Sequence, residues 1–420
     1  MKIVVVGGGS TYTPELADGF ARLRDQLPID ELVLVDPDAA RLELVGPVAA
    51  RILARQGHPG KLVTSTELDP VLDGADAVLL QLRVGGQQAR LSDETFPLSC
   101  GCVGQETTGA GGLAKALRTV PVVLEIAERI RQANPQAWIV DFTNPVGIVT
   151  RALLDAGHRA VGLCNVAKGF QHTFGEWLGV DAERVELDHV GLNHLTWERA
   201  VRVDGEDVLP KLLAEHAESL AARCLLPVDV LHRMGVIPSY YLRYYYGHDA
   251  VVAEQSTGGA ARAEEVADLE RQLLDIYADP TLDVKPALLG ERGGAYYSEA
   301  AISLVGGLLR DTGEVQVANV RNGDTLPFLS PDAVIEVPAR ISAAGAEPLP
   351  VAPLEPLYAG LIAHVAAYEE LAVAAAVHGG IERVEDALLA HPLVGQIELA
   401  RNLAAELLAA NTVHLPWSSS

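Results

Sequence analysis

Cys164, in the stretch GLCNV (162–166), and His194, in GLNHLTW (191–197), lie 30 residues apart. A thiolate and a neutral imidazole can together ligate a cation. On spacing alone, a buried thiol and a hydrogen-bonded core histidine fit the pair better. A thiolate is also a soft partner for a hard divalent ion. Farther on, Tyr240, Tyr241, Tyr244, Tyr245 and Tyr246 crowd around Arg243. A phenol with a pKa of about 10 is a poor base at neutral pH unless a nearby cation stabilises the phenolate. Arg243 or a bound metal could supply that cation. Asn144, in DFTNPVG (141–147), either meets a ligand or ends a strand before Pro145. Gln105 and Glu106, in GQETTGAGG (104–112), add polar groups suited to a crevice. Arg83 and Arg292 are candidates to clamp a phosphate, because a guanidinium pairs with phosphate oxygens through two parallel bonds.

The chain begins KIVVVGGGSTYTPEL (2–16). Ile3 to Val6 read as a buried strand. Gly7 and Gly9 would let the backbone approach a pyrophosphate, and Ser10 and Thr11 could add hydroxyl donors. The third glycine of a G-x-G-x-x-G loop would fall at position 12, which is Tyr12. The turn is therefore expected to be longer, with the helix beginning near Pro14. Asp36 closes the next strand and could hold a ribose hydroxyl, which favours NAD over NADP. Strand, glycines, helix and late acid in this order point to a dinucleotide. A turn that binds nothing would need only the glycines.

These residues need a frame. Short apolar runs at 33–35, 77–82, 138–142 and 161–163 alternate with helix-length segments such as 39–56 and 113–133. Buried strands alternating with helices predict a parallel, doubly wound, Rossmann-like sheet over residues 1–165. Residues 185–203 then alternate and lead into a turn at 204–206. Ala- and Leu-rich helical stretches follow at 261–277 and 357–377. This predicts a second, mixed α+β domain over 166–420, in a lactate/malate dehydrogenase-like arrangement. The stretch 343–356 reads as a surface loop and 416–420 as a frayed tail.

Composition narrows the partners. With 32 basic and 56 acidic side chains the net charge is −24, which disfavours nucleic acid and anionic membrane surfaces. No unbroken apolar run reaches the roughly 18 residues a membrane span needs. The N-terminus shows no signal-peptide pattern. Four cysteines without a framework spacing imply a reducing, cytoplasmic setting. Cys100 and Cys102 read as structural.

Taken in order, the glycine loop, GQETTGAGG, DFTNPVG, GLCNV, GLNHLTW, YLRYYY (241–246) and ERGGAYYSEAA (291–301) resemble glycoside hydrolase family 4, over residues 1 to about 330. The resemblance implies a glycosidase that uses NAD and a divalent metal, Mn²⁺ or another. It assigns Cys164 and His194 as metal ligands and Tyr241 as the base, with Tyr240 one register away as its rival. It implies oxidation at C3 of the sugar, deprotonation at C2, elimination at C1, addition of water and re-reduction. Asn144 is assigned to the substrate or the nicotinamide end, with Arg83, Glu106, Asn165 and Arg292 on the substrate.

In the family, an Asp after the metal-binding Cys accompanies 6-phospho-α-glucosidases. Asn165 here resembles the 6-phospho-β-glucosidases, since an amide cannot act as a proton-donating acid. Ala167-Lys168 departs from the Pro common after CNV. The expected function is therefore a 6-phospho-β-glucosidase acting on a phosphorylated sugar, as a homodimer or homotetramer. Another family 4 specificity (6-phospho-α-glucosidase or α-galactosidase), an NAD-dependent 2-hydroxyacid dehydrogenase and a non-catalytic NAD sensor are the rivals.

Overall fold

A computed structural model describes residues 1–294 and 296–419. Ala295, inside the 291–301 motif, and Ser420, at the end of the expected tail, lie outside the described residues.

The strands are β1 (Lys2–Val6), β2 (Glu31–Val35), β3 (Lys61–Ser65), β4 (Ala77–Leu80), β5 (Trp138–Asp141), β6 (Ala160–Gly162), β7 (Val185–Leu192), β8 (Leu195–Val203), β9 (Glu206–Asp207), β10 (Ile237–Pro238), β11 (Val315–Arg321), β12 (Val334–Ser342) and β13 (Gly345–Pro348). They form one sheet in the order β10-β8-β7-β12-β11-β6-β5-β4-β1-β2-β3, with β9 on β8 and β13 on β12.

Strands β1 to β6 are parallel, with Val4 opposite both Val33 and Val78. The inner strands β1, β2 and β4 are hydrophobic runs that bury nearly every side chain because helices cover both faces, whereas the edge strand β3 (KLVTS) buries none fully. The strand order reverses on either side of β1, which opens a crevice at the C-terminal ends of the strands.

The later strands extend this sheet in antiparallel fashion rather than forming a separate one. The seams are narrow: β11 meets β6 at the single pair Asn319–Gly162, and β12 meets β7 at Glu336–Gly191.

Helix ends follow local chemistry. Helix Ala39–Arg55 starts where the Asp38 carboxylate accepts from the Arg41 N–H at 3.1 Å. Helix Gly109–Ala133 starts one turn earlier than its apolar periodicity suggested. A side chain at Gly111 would lie 2.3 Å from the Asp93 carbonyl oxygen, so the glycine lets the helix seat directly on backbone.

The stretch 343–356 is not wholly loop, because β13 pairs antiparallel with β12 around a tight turn closed by Ser342 and Gly345. Helix Pro356–His378 is long and apolar enough to cross a membrane by length and composition. It instead buries Tyr358, Ile362, Val365, Tyr368 and Ala372 against neighbouring helices of this fold.

Candidate active site

A cleft of about 1490 Å³ opens at the reversal point, and residues from the glycine loop through the tyrosine cluster line it. At one end, Gly7 adopts φ 86°, and a Cβ there would lie 2.6 Å from the Gln81 carbonyl oxygen. Gln81 Nε2 donates to the Gly7 carbonyl at 2.9 Å, and Thr13 Oγ1 donates to that of Gly8 at 2.8 Å. The loop is thus braced before any ligand arrives.

The helix begins at Thr13, so residue 12 precedes the helix–strand contact for which a third glycine is normally needed. Tyr12 lines the cleft, packing edge-on to Tyr297 and donating to the Gly294 carbonyl. Asp36 lines the cleft, accepting from Gly9 N–H at 2.9 Å and Asp38 N–H at 3.0 Å. Gly7 and Ser10 line it too, while Gly9 sits just behind, against Asp36. Thr11 does not reach the cleft. Its side chain is fully buried, and the Tyr277 hydroxyl holds its carbonyl at 2.7 Å.

At the other end, His194 lines the cleft from the two-residue turn between β7 and β8, closed by Leu192 and Leu195, while Cys164 follows β6 and is buried just behind the lining residue Asn165. His194 has φ 63°, a left-handed conformation uncommon for non-glycine residues. Such outliers concentrate at functional sites. Thr107 Oγ1 lies 2.9 Å from His194 Nδ1, which leaves Nε2 to face a ligand. Burial pushes the imidazole pKa down to about 4, so it is a neutral donor at pH 7.

Burial, and next the Glu336 charge, push the Cys164 thiol well above its ordinary range. The Tyr241 ring stacks on His194 with centroids 3.7 Å apart. Tyr240 stacks on Tyr241 at 4.2 Å but is 40% exposed, against 9% for Tyr241. Burial, followed by Tyr240 and Cys164, raises the Tyr241 pKa well above its ordinary value. A base at this position needs a cation beside it. Arg243 is not that cation: it pairs with Glu254 at 2.5 Å and lies over Tyr244.

Between these ends lies a knot of charge. Glu106 takes Arg83 and Lys115 on Oε2, each at 2.5 Å, and Arg90 on Oε1 at 3.2 Å. Burial opposes its ionisation, but Arg83, Lys115 and Arg90 outweigh that and hold its pKa well below the usual carboxylate range. Burial lowers Lys115 to about 8 despite Glu106. Arg292 pairs with Glu270 at 2.8 Å, its Nε is buried without a partner, and Glu270 also faces Arg41 at 3.8 Å. Asn144 Oδ1 is likewise buried and unpartnered at the cleft wall.

Glu106→Gln is expected to destabilise the fold by about 3–5 kcal/mol in urea unfolding, because it leaves buried cations uncompensated. The folded pKa is depressed. The contribution of Glu106 is therefore fully present above the ordinary glutamate range and is lost as pH falls through the depressed value.

Two family models match: "Family 4 glycosyl hydrolase" over residues 2–180 and "Family 4 glycosyl hydrolase C-terminal domain" over residues 189–394. The chain belongs to glycosyl hydrolase family 4. A "Probable 6-phospho-beta-glucosidase" of Bacillus subtilis is 38% identical over 99% of this chain and 97% of its own length. The structure of the 6-phospho-beta glucosidase from Thermotoga maritima with manganese, NAD⁺ and glucose-6-phosphate superposes with a TM-score of 0.92. It is 33% identical and covers 99% of each chain. A malate dehydrogenase from Salinibacter ruber, 16% identical, shares the fold with a TM-score of 0.55 over 92% of this chain and 99% of its own. The dehydrogenase-like arrangement is therefore present in a family 4 chain.

Membership bears on the donor set. Among the described residues no group of three or more His, Cys, Asp or Glu side chains is arranged to hold a metal ion by itself. One neutral, oriented imidazole and one buried thiol fit a cation that keeps most positions for substrate oxygens and water, with Asn144 Oδ1 as an unspent polar atom on the same cleft as His194.

Sequence reasoning placed Gln105, Glu106, Asn144, Asn165, His194, Tyr241, Arg83 and Arg292 on one cleft, and all line it. It missed Lys115, Arg90, Thr107 and Tyr297. Lys115 was findable, since a lone lysine among the apolar residues of LAKAL (113–117) is buried only where a carboxylate awaits it. Lys168, which the sequence left pointing either to site or to solvent, does not line the cleft.

Proposed function

We propose that this family 4 chain hydrolyses 6-phospho-β-glucosides, using NAD and a divalent cation such as Mn²⁺. The stacking of Tyr241 on His194 at 3.7 Å, in one cleft with Asn165 and the braced glycine loop, carries this reading. Similarity to relatives named 6-phospho-beta-glucosidase along nearly the whole chain supports the substrate class. When bound, NAD supplies reversible oxidation at C3, and the cation supplies Lewis-acid polarisation of the sugar oxygens.

The chain's own residues do the rest. Gly7, Gly9 and Ser10 admit the pyrophosphate, and Asp36 accepts from a ribose hydroxyl. Cys164 and His194 hold the cation. The Tyr241 phenolate oxygen takes the C2 proton, which the adjacent carbonyl has made acidic, and the C1 leaving group departs. Asn165 and Asn144 orient hydroxyls by hydrogen bonds and exchange no proton. Arg292, with its unspent Nε, and Arg83 face the phosphate. Glu106 keeps Arg83, Arg90 and Lys115 in place.

Residues 1–165 act as the dinucleotide half and 166–420 as the substrate and assembly half. The chain works in the reducing cytoplasm, consistent with four free cysteines. It assembles as a homodimer or homotetramer, consistent with exposed Leu357, Leu371, Val377 and Ile381.

Release of 4-nitrophenol from its β-glucoside 6-phosphate should require both NAD⁺ and Mn²⁺, with no accumulating NADH. The α-anomer and the unphosphorylated glucoside should be poor substrates. Rates that survive dialysis and chelation would reject the mechanism. Stoichiometric NADH with a 2-hydroxy acid would favour the dehydrogenase instead.

A further inference from the structure

Glu336 lies near the start of β12, 1% exposed, with no solvent to satisfy it. Its Oε2 accepts from Asn193 Nδ2 at 2.9 Å and Asn319 Nδ2 at 2.8 Å, and its Oε1 lies 3.0 Å from His189 Nε2. The far nitrogen of His189 lies 2.6 Å from the Glu198 carboxylate. All of these groups except Asn193 are fully buried or nearly so. Apolar side chains of similar volume would often be neutral or better for stability than such an assembly. Its location suggests what it does.

Asn319 pairs with Gly162, two residues before Cys164, and Glu336 pairs with Gly191, three residues before His194. Asn319 and Glu336 face each other across β11 and β12. The chain bearing Cys164 and the turn bearing His194 are thus joined through two seams of one backbone pair each. Where ladder bonds are so few, the carboxylate and its two amides set the spacing. Asn193 immediately precedes His194 and bonds Glu336 at 2.9 Å. One amide therefore ties Glu336 to the turn that carries one ligand, while Asn319 ties it to the seam beside the other.

We propose that Glu336, acting through Asn193, is a positioning residue that fixes the separation of Cys164 and His194 and places negative charge behind them, strengthening divalent-cation binding. The inference rests on the reading that Cys164 and His194 hold a cation. Partners one step outside a metal's ligands orient those ligands, and losing them typically costs 10–100-fold in affinity.

The test uses the full chain with saturating NAD⁺ and Mn²⁺ itself as probe. Free Mn²⁺ is counted by electron paramagnetic resonance in wild type, Asn193→Ala and Glu336→Gln. Asn193→Ala leaves the buried Glu198–His189–Glu336 chain intact, so it keeps the test open if Glu336→Gln does not fold. Both variants are expected to raise the Mn²⁺ dissociation constant about 10–100-fold. NAD⁺ affinity should stay unchanged, and metal-free Asn193→Ala should still unfold cooperatively, with its midpoint lowered only as far as one lost hydrogen bond to Glu336 requires. With Co²⁺ in place of Mn²⁺, the thiolate-to-metal absorption band should weaken in the variants. Asn193→Ala binding Mn²⁺ within twofold of wild type, with an undiminished Co²⁺ band, overturns the positioning role alone. Wild-type protein that leaves all Mn²⁺ free overturns the metal reading along with it.

Discussion

Tyr241→Phe is expected to lower kcat by about 10²–10⁴-fold, the range for losing a positioned general base. KM and Mn²⁺ affinity should change little. The Tyr241 ring packs on His194 at 3.7 Å, and phenylalanine keeps that contact while losing only the oxygen. The phenol is buried, and its pKa lies well above the ordinary value. Arg243 is committed to Glu254 and Tyr244, so no side-chain cation stands ready to lower it. The proposed cation beside His194 does so instead, which ties the base to the metal.

Two readouts separate this role from simple packing. Solvent deuterium at C2 of the product should fall with kcat in Tyr241→Phe. Tyr240→Phe, altered at the exposed rim, should keep activity within about threefold, as expected for a side chain outside the chemistry. If Tyr240→Phe lost the larger share, the base would be one register earlier than assigned here.

The parallel half of the fold was legible because buried strands must be apolar throughout, and the runs around Val4, Val33 and Val78 are. The glycine loop was legible for a similar reason, since Gly7 needs φ 86° and a close approach to Gln81. Tyr12 at the third glycine position implied a longer turn, with the helix beginning near Pro14. It is accommodated because the helix starts at Thr13 and the ring turns toward Gly294 and Tyr297.

Of the charge knot, only the burial of Lys115 was legible, not its partners. Glu106, Arg83, Arg90 and Lys115 come from separate elements, and no periodicity links them. Their pairing exists only once the helix Gly109–Ala133 packs against the helix Gly86–Thr95, which carries Arg90. The seam at Asn319 and Glu336 was hidden because β11 and β12 lie more than 150 residues after the strand they extend. For Cys164 and His194, spacing alone favoured an inert pair, and the motifs around them carried the assignment. The structure adds the neutral imidazole and the left-handed turn that spacing could not supply.

Cys164→Ser is expected to raise the Mn²⁺ dissociation constant by at least about 100-fold. That is the upper end of what losing even an outer-shell partner costs, and here a direct ligand is lost. A serine hydroxyl stays protonated at neutral pH and offers a weaker donor than a thiolate. The burial that makes the Cys164 thiol reluctant to ionise without metal also shields it from water, so a bound cation is its main reason to lose the proton. The change should also invert metal preference. Wild-type protein, with one soft ligand, should bind Cd²⁺ more tightly than Mn²⁺, and the serine variant should lose much more affinity for Cd²⁺ than for Mn²⁺. Cys102→Ser is the control, since Cys102 is buried outside the cleft and should leave both affinities unchanged. Equal Cd²⁺ and Mn²⁺ affinities in wild type and Cys164→Ser would remove sulfur from the site. His194 would then be left as a lone imidazole, too few donors to hold the cation that Tyr241 needs.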